Sequence, residues 1–331
     1  MRRRRFIAGL GAVAAWPLAV GAQQPEGVRR VGVLMNTVAT DTEFQSYVAV
    51  FIRGLRQSGW VEGQNLRVDV RWNAGNAGLS QTYAAQLIGL MPDVILVAST
   101  TNLTAIRQVT STVPVVFVSV SDPVAQGFVA SVRQPGGNIT GFSRYEFSIG
   151  GKWLGLLKET APGLARVAVM YNPDTSPQLK FFMYAIEAAA ESLGVQVIAA
   201  PVRATADIEP ALESIGRQPN GGLILTSDTF TNLRYSLIAN LAGRYSLPSI
   251  ASGAGFAKNG GLMSYGSNIN LADEYRGAAT YVDRILKGSK PGDLPVQATD
   301  RYTFAVNLKT AKALGLTVPP TLLATANEMF E

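Results

Sequence analysis

Val94 to Val118 read VILVASTTNLTAIRQVTSTVPVVFV. Val94–Ala98 is an unbroken apolar run, as expected of a strand buried on both faces, and Val115–Val118 is another. Between them Thr101–Thr110 has the length and spacing of a short helix, preceded by the polar Ser99 and Thr100. Strand, helix and strand in close succession make the unit of a parallel sheet with helices on its faces. Upstream the pattern repeats. A strand at Arg30–Met35 leads through a polar turn, Asn36 to Thr42, into a helix at Glu43–Ser58 closed by Gly59. A strand at Leu66–Trp72 and a helix at Ser80–Leu90 follow.

Downstream the alternation pauses at Gln134–Ser143, where Pro135-Gly136-Gly137-Asn138 marks a turn. It restarts with helix Gly150–Glu159, strand Arg166–Tyr171, helix Gln178–Leu193 and strand Val195–Ala199. Helix Ile208–Arg217, strand Gly222–Thr226, helix Leu233–Arg244 and strand Pro248–Ala251 continue it. Two successive βα arrays joined near 140–148 predict an α/β protein of two Rossmann-like lobes, each a parallel sheet flanked by helices. The tail breaks the tandem order. It reads as strand Gly261–Tyr265, long helix Leu271–Lys287, linker Gly292–Val296, strand Tyr302–Leu308, helix Leu308–Leu314 and a short helix after Pro319-Pro320. Such a tail is expected to cross between the lobes near 266–269 and 295–298. The first lobe is then expected at 27–143 with 267–295, and the second at 144–266 with 296–331.

The N-terminus reads as an export signal over residues 1–22. Arg2 to Arg5 form a positive segment, Phe6 to Ala19 a short apolar one, and Val20-Gly21-Ala22 a small-residue cleavage site near Ala22. Arg3-Arg4-Arg5-Phe6-Ile7 resembles the twin-arginine export motif, with a general secretory signal as the alternative. These four arginines belong to the 29 basic residues that face 23 acidic ones, so the mature chain carries 25 against 23. That near balance leaves no basic patch for a phosphate backbone, and no nucleic-acid partner is expected.

No other apolar run approaches the ~18 residues of a membrane span, which predicts a soluble mature protein. Cysteine is absent, which excludes disulfides and a thiol-linked lipid anchor. The expected compartment is therefore the periplasm, with a freely diffusing monomer. Histidine is absent too, removing the commonest general base and metal ligand. No catalytic residue, metal or cofactor is expected. Gly9 to Ala14 fits a loose dinucleotide fingerprint, but it lies inside the signal with no strand before it. No GxxxxGK phosphate loop occurs, which excludes a transport ATPase.

Parallel sheets bind ligands beyond the carboxyl ends of their strands. The residues there are Asn36 and Thr37; Ser99, Thr100 and Thr101; Ser121 and Asp122; and in the second lobe Tyr171 and Asn172, Ser227 and Asp228, and Ser252. Each one alone also suits a helix N-cap. Together they place polar groups on both sides of a cleft. Asp228 is a candidate acceptor for a ligand ammonium, and Asp122, before Pro123, fits a turn equally well. Two carboxylates across a cleft also raise an acid–base alternative.

Gly136-Gly137-Asn138-Ile139-Thr140-Gly141-Phe142-Ser143 resembles a motif of the ABC transporter substrate-binding proteins of periplasmic-binding-protein type I, a group that includes tryptophan and tyrosine binders. Gly59-Trp60-Val61-Glu62-Gly63, Tyr171-Asn172-Pro173, Gly260 to Gly266, Tyr281 to Gly288 and Asn307 to Lys312 are similar in the same way. The resemblance implies two lobes joined by a three-stranded hinge, closing on a small-molecule ligand for an inner-membrane ABC permease. It adds Phe142 and Tyr265, at the crossovers, to the candidate ligand contacts. The run Thr229-Phe230-Thr231-Asn232 departs from the bulky apolar or basic run of relatives, so the ligand-facing chemistry is expected to differ. The expected ligand is an amino acid or related carboxylate, with an aromatic group as one option. Ser99 to Thr101 would hold the carboxylate, and Phe142, Tyr171 and Tyr265 the apolar part. A sensory protein signalling to a membrane kinase or chemoreceptor, and a periplasmic enzyme, are the rival functions.

Overall fold

Alternate residues of a strand point to opposite faces, so a strand covered on both sides must be apolar at nearly every position. The computed structural model describes residues 27–253, 255–299 and 301–331; the expected signal at 1–22 lies outside them. In chain order the elements are β1 (Arg29–Met35), α1 (Thr42–Gln57), β2 (Leu66–Trp72), α2 (Ala77–Gly89), β3 (Val94–Ala98), α3 (Thr100–Val109), β4 (Val115–Ser121) and β5 (Ile139–Tyr145). Then come α4 (Ile149–Thr160), β6 (Arg166–Tyr171), α5 (Leu179–Leu193), β7 (Gln196–Pro201), α6 (Ile208–Gly216), β8 (Gly221–Leu225), α7 (Thr229–Asn232), α8 (Tyr235–Arg244) and β9 (Ser249–Ala251). The rest are α9 (Gly255–Lys258), β10 (Met263–Ser267), α10 (Leu271–Leu286), β11 (Gln297–Ala298), β12 (Tyr302–Asn307), α11 (Leu308–Ala313), α12 (Pro320–Thr325) and β13 (Glu328–Phe330).

One sheet runs β2-β1-β3-β4-β5-β11 with every pairing parallel. The other runs β7-β6-β8-β9-β10-β12-β13, parallel except between β10 and β12. The faces sort as the pleat requires. Val31, Val33 and Met35 pack with Phe51 and Leu55 of α1, and Leu34 packs on the other face with Leu103 and Ile106 of α3. In the second sheet Val167 and Val169 face one side, Ala168 and Met170 the other.

The segment expected to be a pause contains β5. Its sequence ITGFSRY hides a strand because the interior positions are small or polar, each for a tertiary reason. Thr140 donates to the Leu294 carbonyl at 2.6 Å. A Cβ at Gly141 would lie 2.1 Å from the Phe117 carbonyl oxygen, so only glycine lets β4 and β5 approach there. The helix expected over Leu233–Arg244 is α8, and a separate short helix, α7, capped by Asp228, precedes it.

The chain passes between the sheets after Tyr145, between Ser267 and Leu271, and between Ala298 and Tyr302. Gln297 and Ala298 still pair with Phe142 and Ser143 of the first sheet. After the second passage α10 packs against α1 under the first sheet, buried along Tyr275, Ala278 and Val282. Gly54 allows that approach, since a Cβ there would meet the Ala279 Cβ at 2.7 Å.

Candidate ligand-binding cleft

Both sheets reverse their winding direction once: the first between β1 and β3, the second between β6 and β8. At such a switch point the loops leave in opposite directions and open a crevice beyond the strand ends. A small cavity lies between these edges. Asn36 reaches it after β1, Ser99 to Thr101 after β3 and Ser227 after β8. The lobes are closed over it. Asn36 Nδ2 donates to Thr229 Oγ1 at 3.1 Å, and Thr101 Oγ1 donates to the Thr175 carbonyl at 2.9 Å.

The N-terminus of α3 opens into the cavity. Ser99 has φ +85° and caps the helix through its hydroxyl, which accepts from the Asn102 amide. Free amides at a helix start favour an anion. Arg144, near the end of β5, brings a full positive charge to the same space. Its Nε lies 3.4 Å from Glu274 Oε1, and its Nη2 donates to the Ile269 carbonyl at 3.1 Å. Glu274 Oε2 accepts from the amide and hydroxyl of Ser119, at 2.9 and 3.1 Å. Those bonds hold Ser119 at φ +57°, a left-handed conformation that a non-glycine residue keeps only when its surroundings demand it.

Burial pushes the Glu274 carboxyl up from its ordinary range, while Arg144 and the Ser119 bonds pull it back. For Arg144 burial works against the charge, but the Glu274 carboxylate, with Tyr145 and Tyr47, leaves the guanidinium even harder to deprotonate. Burial also raises the Tyr145 and Tyr275 phenols, so both stay protonated near neutral pH. Tyr145 spends its hydroxyl proton on the Ser252 carbonyl, at 2.9 Å.

The apolar wall is aromatic. Phe44, Tyr275 and Leu271 line the cavity, backed by Tyr47, which stacks on Tyr275 at 5.6 Å and meets Phe44 edge-on at 5.4 Å. On the second lobe Gln178 donates Nε2 to the Ser227 carbonyl at 2.6 Å. Gln178 Oε1 and Asn36 Oδ1 are buried without a hydrogen-bond partner among the described residues. Among the described residues, no aspartate or glutamate lines the cavity.

Of the residues nominated from the strand ends, Asn36, Ser99, Thr100, Thr101 and Ser227 line this cavity together. Thr37 is buried beside it, its carbonyl accepting from the Ala74 amide. The Ser121 amide bonds to Thr100 Oγ1. Asp122 closes a turn onto the Ala125 amide at 3.0 Å. Phe142 packs against Tyr281 at 5.2 Å, beneath Gly277 of α10. Tyr171, half-buried at the end of β6, accepts the Val202 amide on its carbonyl. Asn172 lines a second depression at the lobe boundary, with Arg203 and Asp174. Asp228 is filled from within: Oδ2 accepts the Asn172 amide, and Oδ1 accepts the Thr175 hydroxyl and the Phe230 amide. Ser252 is buried under Tyr145, and Tyr265 stacks on Tyr302 at 5.5 Å.

Strand-end logic passed over Arg144 and Glu274, although one signal was legible. Glu274 stands in the apolar stripe of α10 with Leu271, Ala278 and Tyr281, where a carboxylate is buried and needs a partner. Phe44 and Tyr275 come from helix faces and Gln178 from the turn just before α5, so none of them carries such a mark.

The chain matches the family described as ABC transporter substrate binding protein over residues 32–330. It is 26% identical over 266 residues to the tyrosine-binding protein of Clostridioides difficile, covering 80% of this chain and 75% of that one. A conserved domain protein of Vibrio cholerae O1 biovar eltor superposes with a TM-score of 0.79 at 26% identity, covering 91% of this chain and 99% of that one. A domain from Streptococcus pneumonia solved in complex with L-Trp superposes at 0.75 with 21% identity, again over 91% and 99%. At that identity the second superposition is a likeness of fold.

Proposed function

This chain belongs to the ABC transporter substrate-binding protein family, a family of solute binders rather than enzymes, and we propose that its cleft takes a small carboxylate with an aromatic or other apolar side group. The observation that carries this reading is the convergence of Arg144 and the α3 N-terminus on one closed cavity that, among the described residues, no acidic side chain lines. The carboxylate sits against the Ser99–Thr101 amides and the guanidinium, and the apolar group lies on Phe44, Leu271 and Tyr275. The tyrosine-binding relative and the L-Trp complex support a ligand of the amino-acid kind.

The two lobes, divided at the three passages of the chain, close as Asn36 meets Thr229 and Thr101 meets Thr175. Closure presents the loaded monomer to an ABC permease, and the arginine-rich N-terminal segment directs the chain to the periplasm. Calorimetric titration of the mature protein with L-tyrosine, L-tryptophan and related aryl carboxylates tests the site. Binding is expected in the wild type and at least tenfold weaker in Arg144→Gln. An unchanged affinity in that variant, or no binding by any aryl carboxylate, rules the reading out.

A further inference from the structure

Gln178 stands at the start of α5 but makes no cap bond to that helix. Its side chain turns inward instead. The residue is 3% exposed, and Nε2 donates to the Ser227 carbonyl at 2.6 Å. A carbonyl can only accept, so the amide is held with Oε1 as its free end. From the other lobe Asn36 Nδ2 donates to Thr229 Oγ1, which leaves Oδ1. Both oxygens are buried and unpartnered among the described residues, and both residues line the cavity. A buried acceptor without a donor is costly, so a ligand that supplies protons to both is favoured over one that reaches a single oxygen.

Donor number then separates the candidate groups. A hydroxyl has one proton to give and leaves one of the two oxygens orphaned. A primary ammonium has three N–H groups, meets both oxygens, and makes charge-assisted bonds to them. Its place relative to the carboxylate is set by the first sheet. Asn36 and Ser99 follow neighbouring strands in which Leu34 pairs with Val97. Adjacent strands lie about 4.8 Å apart, so the Asn36 acceptor stands beside the anion-binding amides of α3. The neighbouring ammonium and carboxylate of an α-amino acid require that arrangement.

We propose that Gln178 and Asn36 are specificity-determining residues that read a ligand's α-ammonium by its N–H donors, through neutral amide oxygens contributed by both lobes. The inference rests on the carboxylate reading given under Proposed function and specifies how an amino group is told from a hydroxyl or a hydrogen in its place. Arg144 and α3 read the carboxylate, and the two amides read the group beside it.

The test is calorimetric titration of the mature protein with L-phenylalanine, L-3-phenyllactate and 3-phenylpropanoate, and with the 4-hydroxyphenyl and indole counterparts of each. In the aryl series that binds best, the amino acid is expected to bind about tenfold or more tighter than the hydroxy acid. Gln178→Met keeps the length of the side chain without the acceptor. It is expected to weaken the amino acid about tenfold while the unsubstituted acid changes less than about threefold. Gln178→Glu keeps an acceptor and adds a negative charge, and is expected to widen the advantage of the amino acid over the unsubstituted acid. A hydroxy acid that binds as tightly as the amino acid in the wild type overturns the proposal. An equal loss for both ligands in Gln178→Met, or an advantage that does not widen in Gln178→Glu, overturns it as well. If none of the acids binds, the carboxylate reading falls and takes this proposal with it. If they bind and the Gln178 variants leave the amino-acid advantage unchanged, only this proposal falls.

Discussion

Arg144 Nε lies 3.4 Å from Glu274 Oε1, joining the first strand to leave the N-terminal sheet with the helix that returns to it. The Glu274 side chain is fully buried and that of Arg144 is 16% exposed, so the pair works in a medium where a lone charge is expensive. It fixes the guanidinium at the cavity edge and ties the second passage, through the Ile269 carbonyl, to the same group.

Removing one partner leaves the other charge uncompensated. Glu274→Ala is expected to lose about 3–5 kcal/mol of stability in urea denaturation. Glu274→Ala combined with Arg144→Leu is expected to recover part of it, because no buried charge is then stranded. A double variant no more stable than the single one shows that the pair is not the source of the loss.

The Glu274 carboxyl has a folded-state pKa raised by burial, so the native state holds its proton more tightly than the unfolded chain does. The linked stability is fully present below the ordinary value of 4.5 and is lost as pH rises through the raised folded value. Asp228, raised by the same cause, adds a contribution of the same sign. Urea midpoints measured from pH 4 upward are therefore expected to contain a falling component in the wild type. Glu274→Gln should remove its own share and flatten that component.

Asp228 caps α7 and satisfies donors from two neighbouring segments, but it does not line the cavity. Asp228→Ala is expected to cost about 1–3 kcal/mol in stability through orphaned donors and a lost cap. Ligand affinity in the folded variant should change less than tenfold. A selective loss of ligands bearing an ammonium would make Asp228 a direct ligand contact instead.

The hydrogen bond from Asn36 to Thr229 spans the lobes, and one neutral bond contributes about 0.5–1.5 kcal/mol. Asn36→Ala is expected to shift the unliganded protein toward open forms, read as a larger radius of gyration in solution scattering. Thr101→Val removes the companion bond to Thr175 and should act in the same direction. Scattering curves identical to wild type in both variants would remove these bonds from the closure mechanism.

Gly54 and Ala279 set the spacing of α1 and α10. Gly54→Ala forces a methyl to within 2.7 Å of the Ala279 Cβ, and the overpacking is expected to cost about 1–3 kcal/mol. Ala279→Gly in the same chain should restore part of the loss in thermal denaturation.

Much of this architecture is written locally. Val94–Ala98 and Arg166–Tyr171 read as strands at their observed limits, because a strand covered on both faces needs an apolar run of that length. Asn36 and Ser99 to Thr101 were reachable by the same logic, since the residues after a strand end are fixed once the strand is. The strand at Ile139–Tyr145 was not legible. Its Thr140 and Gly141 answer to Leu294 and Phe117, which are neighbours only in the folded chain.

The decisive chemistry belongs to the second class. Asp228 looked like a ligand acceptor until folding brought the Asn172 amide and the Thr175 hydroxyl onto its oxygens. Arg144 carried no signal in the sequence, and its role emerges only where the second passage of the chain sets Glu274 and Ile269 against it. Periodicity and turn chemistry act over a few residues, and they suffice for the elements and for the edges where a ligand can sit. Which charges are spent inside the protein and which are left for a ligand depends on pairings between residues far apart in sequence, and tertiary packing alone decides those.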